Sequence, residues 1–141
     1  MNRPIANQIP HHWRSWLFDS GSLTQKLVQA SRGHFKVQVI SNRWGVPSHS
    51  EAQEIGLKPR QMAIIREVEL HCYNQVWVCA RSIIPYFTLR GPEKMLRNLG
   101  EKPLGALLFQ HRNMSRGTLQ VAGLQHSSNG QLSRHIYWAR R

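Results

Sequence analysis

Two neighbouring segments rich in Val, Ile and Trp constrain the fold of this chain more than any other feature. Residues 62–72 and 76–84 have the composition of β-strands, and the sequence YNQ between them is typical of a tight turn. Pro85 ends the second segment, because proline has no N–H to donate to a neighbouring strand. The two segments predict a β-hairpin, with Cys72 and Cys79 as reduced cysteines on neighbouring strands.

The first of these segments carries an arginine inside an apolar strand. In the sequence AIIREVEL, strand alternation places Arg66 with Ile64 and Val68 on one face and Glu67 on the other. A guanidinium directed into an apolar face is costly unless an anion meets it, and its forked donors match the two oxygens of a carboxylate. Arg66 therefore indicates either an anion site or an edge strand whose arginine extends to water.

The remaining segments predict short helices and strands. Leu23, Leu27 and Val28 recur at helical spacing before Gly33, and the alternating segment 35–40 is typical of a strand. Later segments add helices at 50–55 and 92–100, a helix entered through Pro103, and two strands around Asn129 and Gly130. This order favours an α+β fold with a single antiparallel β-sheet and short helices at its ends.

Length and composition bound the class of protein. A chain of 141 residues with 40% hydrophobic residues is expected to form one domain, 1–141, with residues 1–12 loosely ordered. No apolar run approaches the roughly 20 residues that span a bilayer. The N-terminal residues contain no signal-peptide core, so a cytoplasmic location is expected. The histidines and cysteines lack metal-ligand spacing, so no metal site is predicted.

The formal net charge of +12 favours an anionic partner. The basic residues are scattered, apart from a terminal run around Arg134, Arg140 and Arg141, and the tryptophans do not alternate with them. Attraction of a small dianionic substrate by the positive field explains this charge as well as nucleic-acid binding does. We therefore predict a small-molecule ligand and no nucleic-acid partner.

Four sequence blocks occur in a specific order: WLFDSGSLTQKL, REVELHCYNQVWVCARSIIP, LRGPEKMLRNLG and KPLGALLF. With these blocks the chain resembles the bacterial chorismate–pyruvate lyases over residues 13–116. The resemblance implies one antiparallel sheet whose helices close a buried ligand cavity. It also implies a monomer that converts chorismate to 4-hydroxybenzoate and pyruvate for ubiquinone biosynthesis, without a cofactor. The alternative is a non-catalytic domain of the same fold that binds an aromatic carboxylate, as in the effector-binding domains of some transcription regulators.

The resemblance further implies three substrate-binding residues. The arginine of the family motif, here Arg66, holds the carboxylate of the product. The backbone amide of the residue matching Leu23 assists it, and the backbone of the leucine in the PLG motif, here Leu104, meets the ring hydroxyl. Because only backbone groups act at Leu23 and Leu104, substitution of their side chains is not expected to abolish these contacts.

One family residue has no counterpart in this chain. The family carries a glutamate on its last strand that contacts the ring hydroxyl, whereas no acidic residue follows Glu101 here. Either the chain stops before that strand, or GQLSRHIYW is the last strand, with His135 or Tyr137 near the position of the acid. The catalytic acid is therefore unknown, and we expect an intact cavity with weak or absent turnover.

Two further expectations concern Arg81 and the tryptophans. Arg81 either faces the cavity or pairs across the strands with Glu67 or Glu69. The large aromatic side chains predicted to line the core and cavity are Trp16, Trp44, Trp77 and Trp138.

Overall fold

The computed structural model describes residues 11–90, 96–110, 114–123, 132–135 and 138–140. The helices in these ranges are α1 (His11–Leu17), α2 (Leu23–Ala30), α3 (His49–Glu54) and α4 (Leu104–Gln110), with a 3-10 segment at Tyr86–Arg90. The strands are β1 (Phe35–Gly45), β2 (Ala63–Cys72), β3 (Gln75–Pro85), β4 (Met114–Arg116), β5 (Gln120–Gly123), β6 (Leu132–His135) and β7 (Trp138–Arg140). None of the described helices is both long and apolar enough to cross a bilayer.

Strand β2 lies at the centre of a three-stranded antiparallel sheet in the order β1-β2-β3. The predicted hairpin between β2 and β3 is confirmed. Its loop consists of Tyr73 and Asn74, with φ of 53° and 59°, and two successive left-handed residues form the turn whose twist matches that of paired strands. A bulge between Val39 and Ser41 on β1 shifts the register, so that Asn42 lies opposite Arg66.

Helix α3 begins where Ser48 and Glu51 form a capping box, each side chain accepting from the other's backbone N–H. An apolar cluster in this region joins Ala52 of α3 to Leu57 and to Ala63 of β2. The predicted helix at 50–55 is thus confirmed within one residue.

Helix α2 confirms the helix predicted around Leu23 and Leu27. Beyond its end, Gly33 has a φ of 85°, and its N–H donates to the carbonyl of Val28 at 2.9 Å. Leu27 is 1% exposed, and its carbonyl lies 4.0 Å from Sγ of the buried Cys72. Cys72 and the exposed Cys79 are both free thiols.

Residues 24–106 form one compact unit, and residues 1–23 with 107–141 form a second. In the described part of the second unit, β4 pairs with β7 and β5 pairs with β6, both antiparallel. The predicted α+β class is confirmed, with the antiparallel pairing of the described strands divided into one three-stranded sheet and two two-stranded pairs.

Several expectations stay predictions. Residues 1–10 of the expected loose segment lie outside the described residues, whereas His11 and His12 begin α1. Residues 92–95 of the helix predicted at 92–100 also lie outside them, as does Tyr137. The single domain over 1–141 and the closed cavity remain expectations.

Candidate functional site

Arg66 lies in the middle of the central strand and is 2% exposed. Its register partners are Asn42 on β1 and Ser82 on β3, so strands flank it on both sides. The edge-strand interpretation, in which the arginine extends to water, is therefore wrong. The sheet instead places a guanidinium where little solvent can screen its charge.

The guanidinium of Arg66 is only partly satisfied by hydrogen bonds. Its Nη2 donates to the carbonyl oxygens of Gly100 at 2.7 Å and Lys102 at 3.1 Å. Its Nη1 is buried and has no hydrogen-bond partner among the described residues. None of the ion pairs between described residues includes Arg66. Nη2 is thus held by backbone carbonyls, whereas Nη1 is buried without a partner among the described residues.

Burial lowers the pKa of Arg66, because desolvation disfavours the charged form. An arginine nevertheless keeps its charge in proteins, since its ordinary pKa lies far above neutrality. A buried cation with an unused donor is an unfavourable arrangement that a bound anion would relieve. A carboxylate supplies the required charge and acceptor geometry.

Unlike Arg66, Arg81 is paired with carboxylates. Its Nε donates to Oε1 of Glu51 at 2.6 Å, and its Nη1 donates to Oε1 of Glu67 at 2.5 Å. The cross-strand pairing predicted with Glu67 is confirmed, and Arg81 is engaged by two carboxylates. The hydrogen bond from Arg81 lowers the pKa of Glu51, outweighing the opposite effect of burial. The sequence did not indicate Glu51, because it lies 30 positions from Arg81 with no local pattern linking them.

Strand alternation separates these two arginines. Glu67 and Arg81 are register partners and so share one face of the sheet, while Arg66 on β2 points to the other. The acids adjacent to Arg66 in sequence are therefore not its counterions. The arginine on one face of the sheet, Arg81, is paired with carboxylates, whereas Arg66 on the other face has no ion pair among the described residues.

The two backbone amides predicted from the resemblance both belong to first residues of helices. Leu104 begins α4, and Leu23 begins α2. The N–H groups in the first turn of a helix have no acceptor within that helix and can donate to other groups. Leu104 lies two residues after Lys102, whose carbonyl accepts a hydrogen bond from Arg66. Leu23 belongs to the other compact unit. The roles of both amides stay predictions.

An open cleft of about 490 Å³ lies in the same unit as Arg66, and its lining residues are Asn42, Arg43, Trp44, Ile64, Tyr86 and Arg97. The rings of Trp44 and Tyr86 are 5.6 Å apart, and the guanidinium of Arg97 lies 6.0 Å from the Trp44 ring. Trp44 pairs in register with Ile64, two residues before Arg66, so both lie on the Arg66 face of the sheet.

The tryptophan prediction is confirmed only in part. Trp44 lines the open cleft but is 44% exposed, so it does not belong to the core. Trp77 is 43% exposed, and its ring centroid lies 6.2 Å from that of Tyr73 at the hairpin turn, so its assignment to the core is wrong. Composition alone does not show that Trp77 lies next to the hairpin turn. The side chain of Trp138 lies outside the described part.

Comparisons with known proteins agree with the resemblance. A family model described as "Chorismate lyase" matches residues 5–141. The chain is 41% identical over 117 residues to a "Probable chorismate pyruvate-lyase" of Marinobacter nauticus, covering 83% of this chain and 62% of the relative. It is 35% identical over 119 residues to a relative of the same name in Coxiella burnetii, covering 81% and 64%.

A third relative matches a larger share of this chain. The "Probable chorismate pyruvate-lyase" of Methylobacillus flagellatus is 38% identical over 138 residues, covering 92% of this chain and 77% of the relative. This chain therefore matches between three fifths and four fifths of the length of these relatives.

Proposed function

This chain belongs to the chorismate lyase family, and we propose that it binds chorismate and converts it to 4-hydroxybenzoate and pyruvate. The observation that carries the proposal is the buried guanidinium of Arg66, whose Nη1 has no hydrogen-bond partner in the described part of the chain. The names of the curated relatives support the same reaction. Its place at the first step of ubiquinone biosynthesis follows from the family.

Arg66 binds the carboxylate that chorismate and 4-hydroxybenzoate share. The carbonyls of Gly100 and Lys102 hold Nη2, and this fixes the plane of the guanidinium before the ligand arrives. Nη1 then donates to a carboxylate oxygen without giving up an internal hydrogen bond. The amide of Leu23 adds a second donor to the carboxylate, and the backbone of Leu104 meets the ring hydroxyl.

The chemical step is an elimination. The C–O bond to the ring breaks, its electron pair leaves with the enolpyruvate oxygen, and loss of a ring proton makes the ring aromatic. Protonation of the enolpyruvate then yields pyruvate. Because aromatisation drives the reaction, orientation and electrostatic stabilisation of the departing group can supply much of the acceleration. The residue that handles the proton is unknown in this chain.

Binding without turnover is the second candidate function. It is favoured by one observation: residues 102–141 contain no Asp or Glu. In this alternative, the chain binds the aromatic carboxylate with weak or absent turnover. A cytoplasmic location and a monomeric state are proposed from the family alone, and light scattering of the purified chain tests the second.

Release of 4-hydroxybenzoate from saturating chorismate, measured by chromatography, tests the proposed activity. The control is Arg66→Met, which also corrects for spontaneous decay of chorismate. Arg66-dependent release supports the lyase, and turnover near the enzyme median of about 10 s⁻¹ would refute the expected impairment. Arg66-dependent binding of 4-hydroxybenzoate without release supports the binding domain. If the chain neither binds 4-hydroxybenzoate nor releases it, both functions are wrong.

A further inference from the structure

One end of the three-stranded sheet carries exposed apolar side chains. Gly45, Ala63 and Pro85 are register partners across β1, β2 and β3 at this end. The residues next to them are large, hydrophobic and exposed, and we call the following set the apolar rim: Trp44, Val46, Met62, Tyr86 and Phe87. All five belong to the unit formed by residues 24–106. Clustered exposure of this kind is typical of an interaction surface.

The backbone holds the apolar rim in place. The N–H of Tyr86 donates to the carbonyl of Met62 at 3.3 Å, which continues the contact between β2 and β3 beyond their ends. Phe87 is 61% exposed and lies in the 3-10 segment Tyr86–Arg90, which is anchored by the buried Leu89. Side chains on an anchored backbone lose less conformational entropy when a partner covers them.

A compact turn beside the apolar rim presents two cations. Lys58 and Arg60 are both exposed, and the turn that contains them leads directly into Met62. The N–H of Gln61 donates to the carbonyl of Lys58 at 3.2 Å, and the N–H of Lys58 donates to Oε1 of Gln61 at 2.9 Å. These bonds keep both cations next to the rim.

Two further cations, Arg43 and Arg97, line the open cleft beside Trp44, and both are exposed. No ion pair between described residues includes either arginine, nor does any include Lys58 or Arg60. The four charges are therefore not neutralised within the described part of the chain, in contrast to that of Arg81. An anionic partner would complement them.

We propose that this end of the sheet is a docking surface for an anionic lipid bilayer. Tryptophan and tyrosine rings favour the membrane–water interface, and apolar side chains such as Phe87 enter the boundary between headgroups and acyl chains. Lysine and arginine near the surface are attracted to anionic headgroups. A second copy of this chain fits less well, because it would place four cations against four. Nucleic acid would engage the cations and leave Val46 and Met62 without a role.

Sedimentation with lipid vesicles tests the docking surface on the full chain. Vesicles of phosphatidylcholine with about 30% phosphatidylglycerol supply the anionic surface, and phosphatidylcholine alone is the neutral comparison. We expect binding to the anionic vesicles only, and weaker binding as salt screens the charges. Each basic residue contributes about a fivefold gain in affinity, so Lys58→Gln with Arg60→Gln should weaken binding about 25-fold. Phe87→Asp should weaken it at least tenfold.

The opposite end of the same sheet offers matched controls. Phe35 pairs with Cys72 beside the hairpin turn, so Arg32 and Lys36 lie at that end and are exposed. Arg32→Gln with Lys36→Gln removes the same net charge as the test pair, and Trp77→Asp alters an exposed aromatic residue near the turn. Vesicle affinity should stay within threefold of the parent chain in both controls. Thermal midpoints show that each variant is folded.

Several results would overturn the docking surface. One is the absence of binding to anionic vesicles by the parent chain, and another is equal loss in the test and control variants. Unchanged vesicle affinity in both the charge pair and Phe87→Asp would have the same meaning. So would a dimer, or single-stranded DNA binding, that depends on these residues while vesicles are not bound. Because no ligand of the Arg66 site takes part, the outcome is independent of the proposed function.

Discussion

Replacement of Arg66 by methionine is the most direct perturbation of the proposed site. Methionine occupies much of the volume of the arginine stem and is tolerated in irregular apolar surroundings, so the change removes the charge with little effect on packing. The carbonyls released from Nη2 belong to Gly100 and Lys102, both of which are exposed residues. We therefore expect the folded state to persist.

The effect on affinity follows from the hydrogen bonds of the guanidinium. Because Nη1 has no partner in the described part of the chain, the ligand carboxylate adds a charge-assisted bond without displacing an existing one. Such bonds contribute about 1.5–3 kcal/mol. At about 1.4 kcal/mol per factor of ten, Arg66→Met should raise the Kd of 4-hydroxybenzoate by roughly 10- to 150-fold.

Calorimetry with two ligands isolates the carboxylate contact. 4-Hydroxybenzoate carries both the ring hydroxyl and the carboxylate, whereas phenol lacks the carboxylate. Arg66→Met should weaken binding of the first and leave that of the second within twofold. Arg81→Met is the matched control, because Arg81 lies on the opposite face of the sheet and already binds Glu51 and Glu67.

Two results would refute the reasoning. An unchanged Kd for 4-hydroxybenzoate in Arg66→Met would mean that the carboxylate binds elsewhere. Equal losses for 4-hydroxybenzoate and phenol would mean that the variant disturbs the site as a whole, with no specific contact to the carboxylate.

Three other predictions test the site and its scaffold. Arg66→Lys should also weaken 4-hydroxybenzoate binding in calorimetry, by several-fold, because a single ammonium cannot both hold the carbonyls of Gly100 and Lys102 and present a separate, fixed donor to the carboxylate. Affinity equal to that of the parent chain would contradict this. Because Arg81 lowers the folded-state pKa of Glu51 below 4.5, their pairing stabilises the protein above about pH 4.5 and is lost as the pH falls through the lower folded value. In Glu51→Gln, the free energy of unfolding measured by chemical denaturation should therefore fall less steeply as the pH is lowered. At pH 7 the substitution should reduce this free energy by at most about 1 kcal/mol, because the pair is partly exposed. A pH profile identical to that of the parent chain would contradict the prediction. Gly33→Ala should lower the free energy of unfolding, measured with denaturant, by about 1 kcal/mol because Gly33 has a φ of 85°. Gly105→Ala within α4 should raise it by about 0.5–1 kcal/mol. The opposite order of stabilities would be incompatible with these backbone conformations.

Local sequence determined much of the sheet and the direction of its key arginine. Alternation in AIIREVEL separated Arg66 from Glu67, and the register of β2 with β3 confirms that separation. The YNQ turn was recognisable because its neighbours are strongly strand-forming. The family was also accessible from sequence, since its blocks retain their order.

Tertiary structure decided which groups each arginine meets. The carbonyls of Gly100 and Lys102 come to Arg66 from 34 and 36 positions away. Glu51 comes to Arg81 from 30 positions away, and Arg116 contacts the loop before Leu23 from 96 positions away. Periodicity reports which face of a strand a side chain occupies, but it carries no information on what the folded chain brings to that face. A backbone carbonyl, moreover, is the same in every residue, so no sequence pattern marks it as a partner.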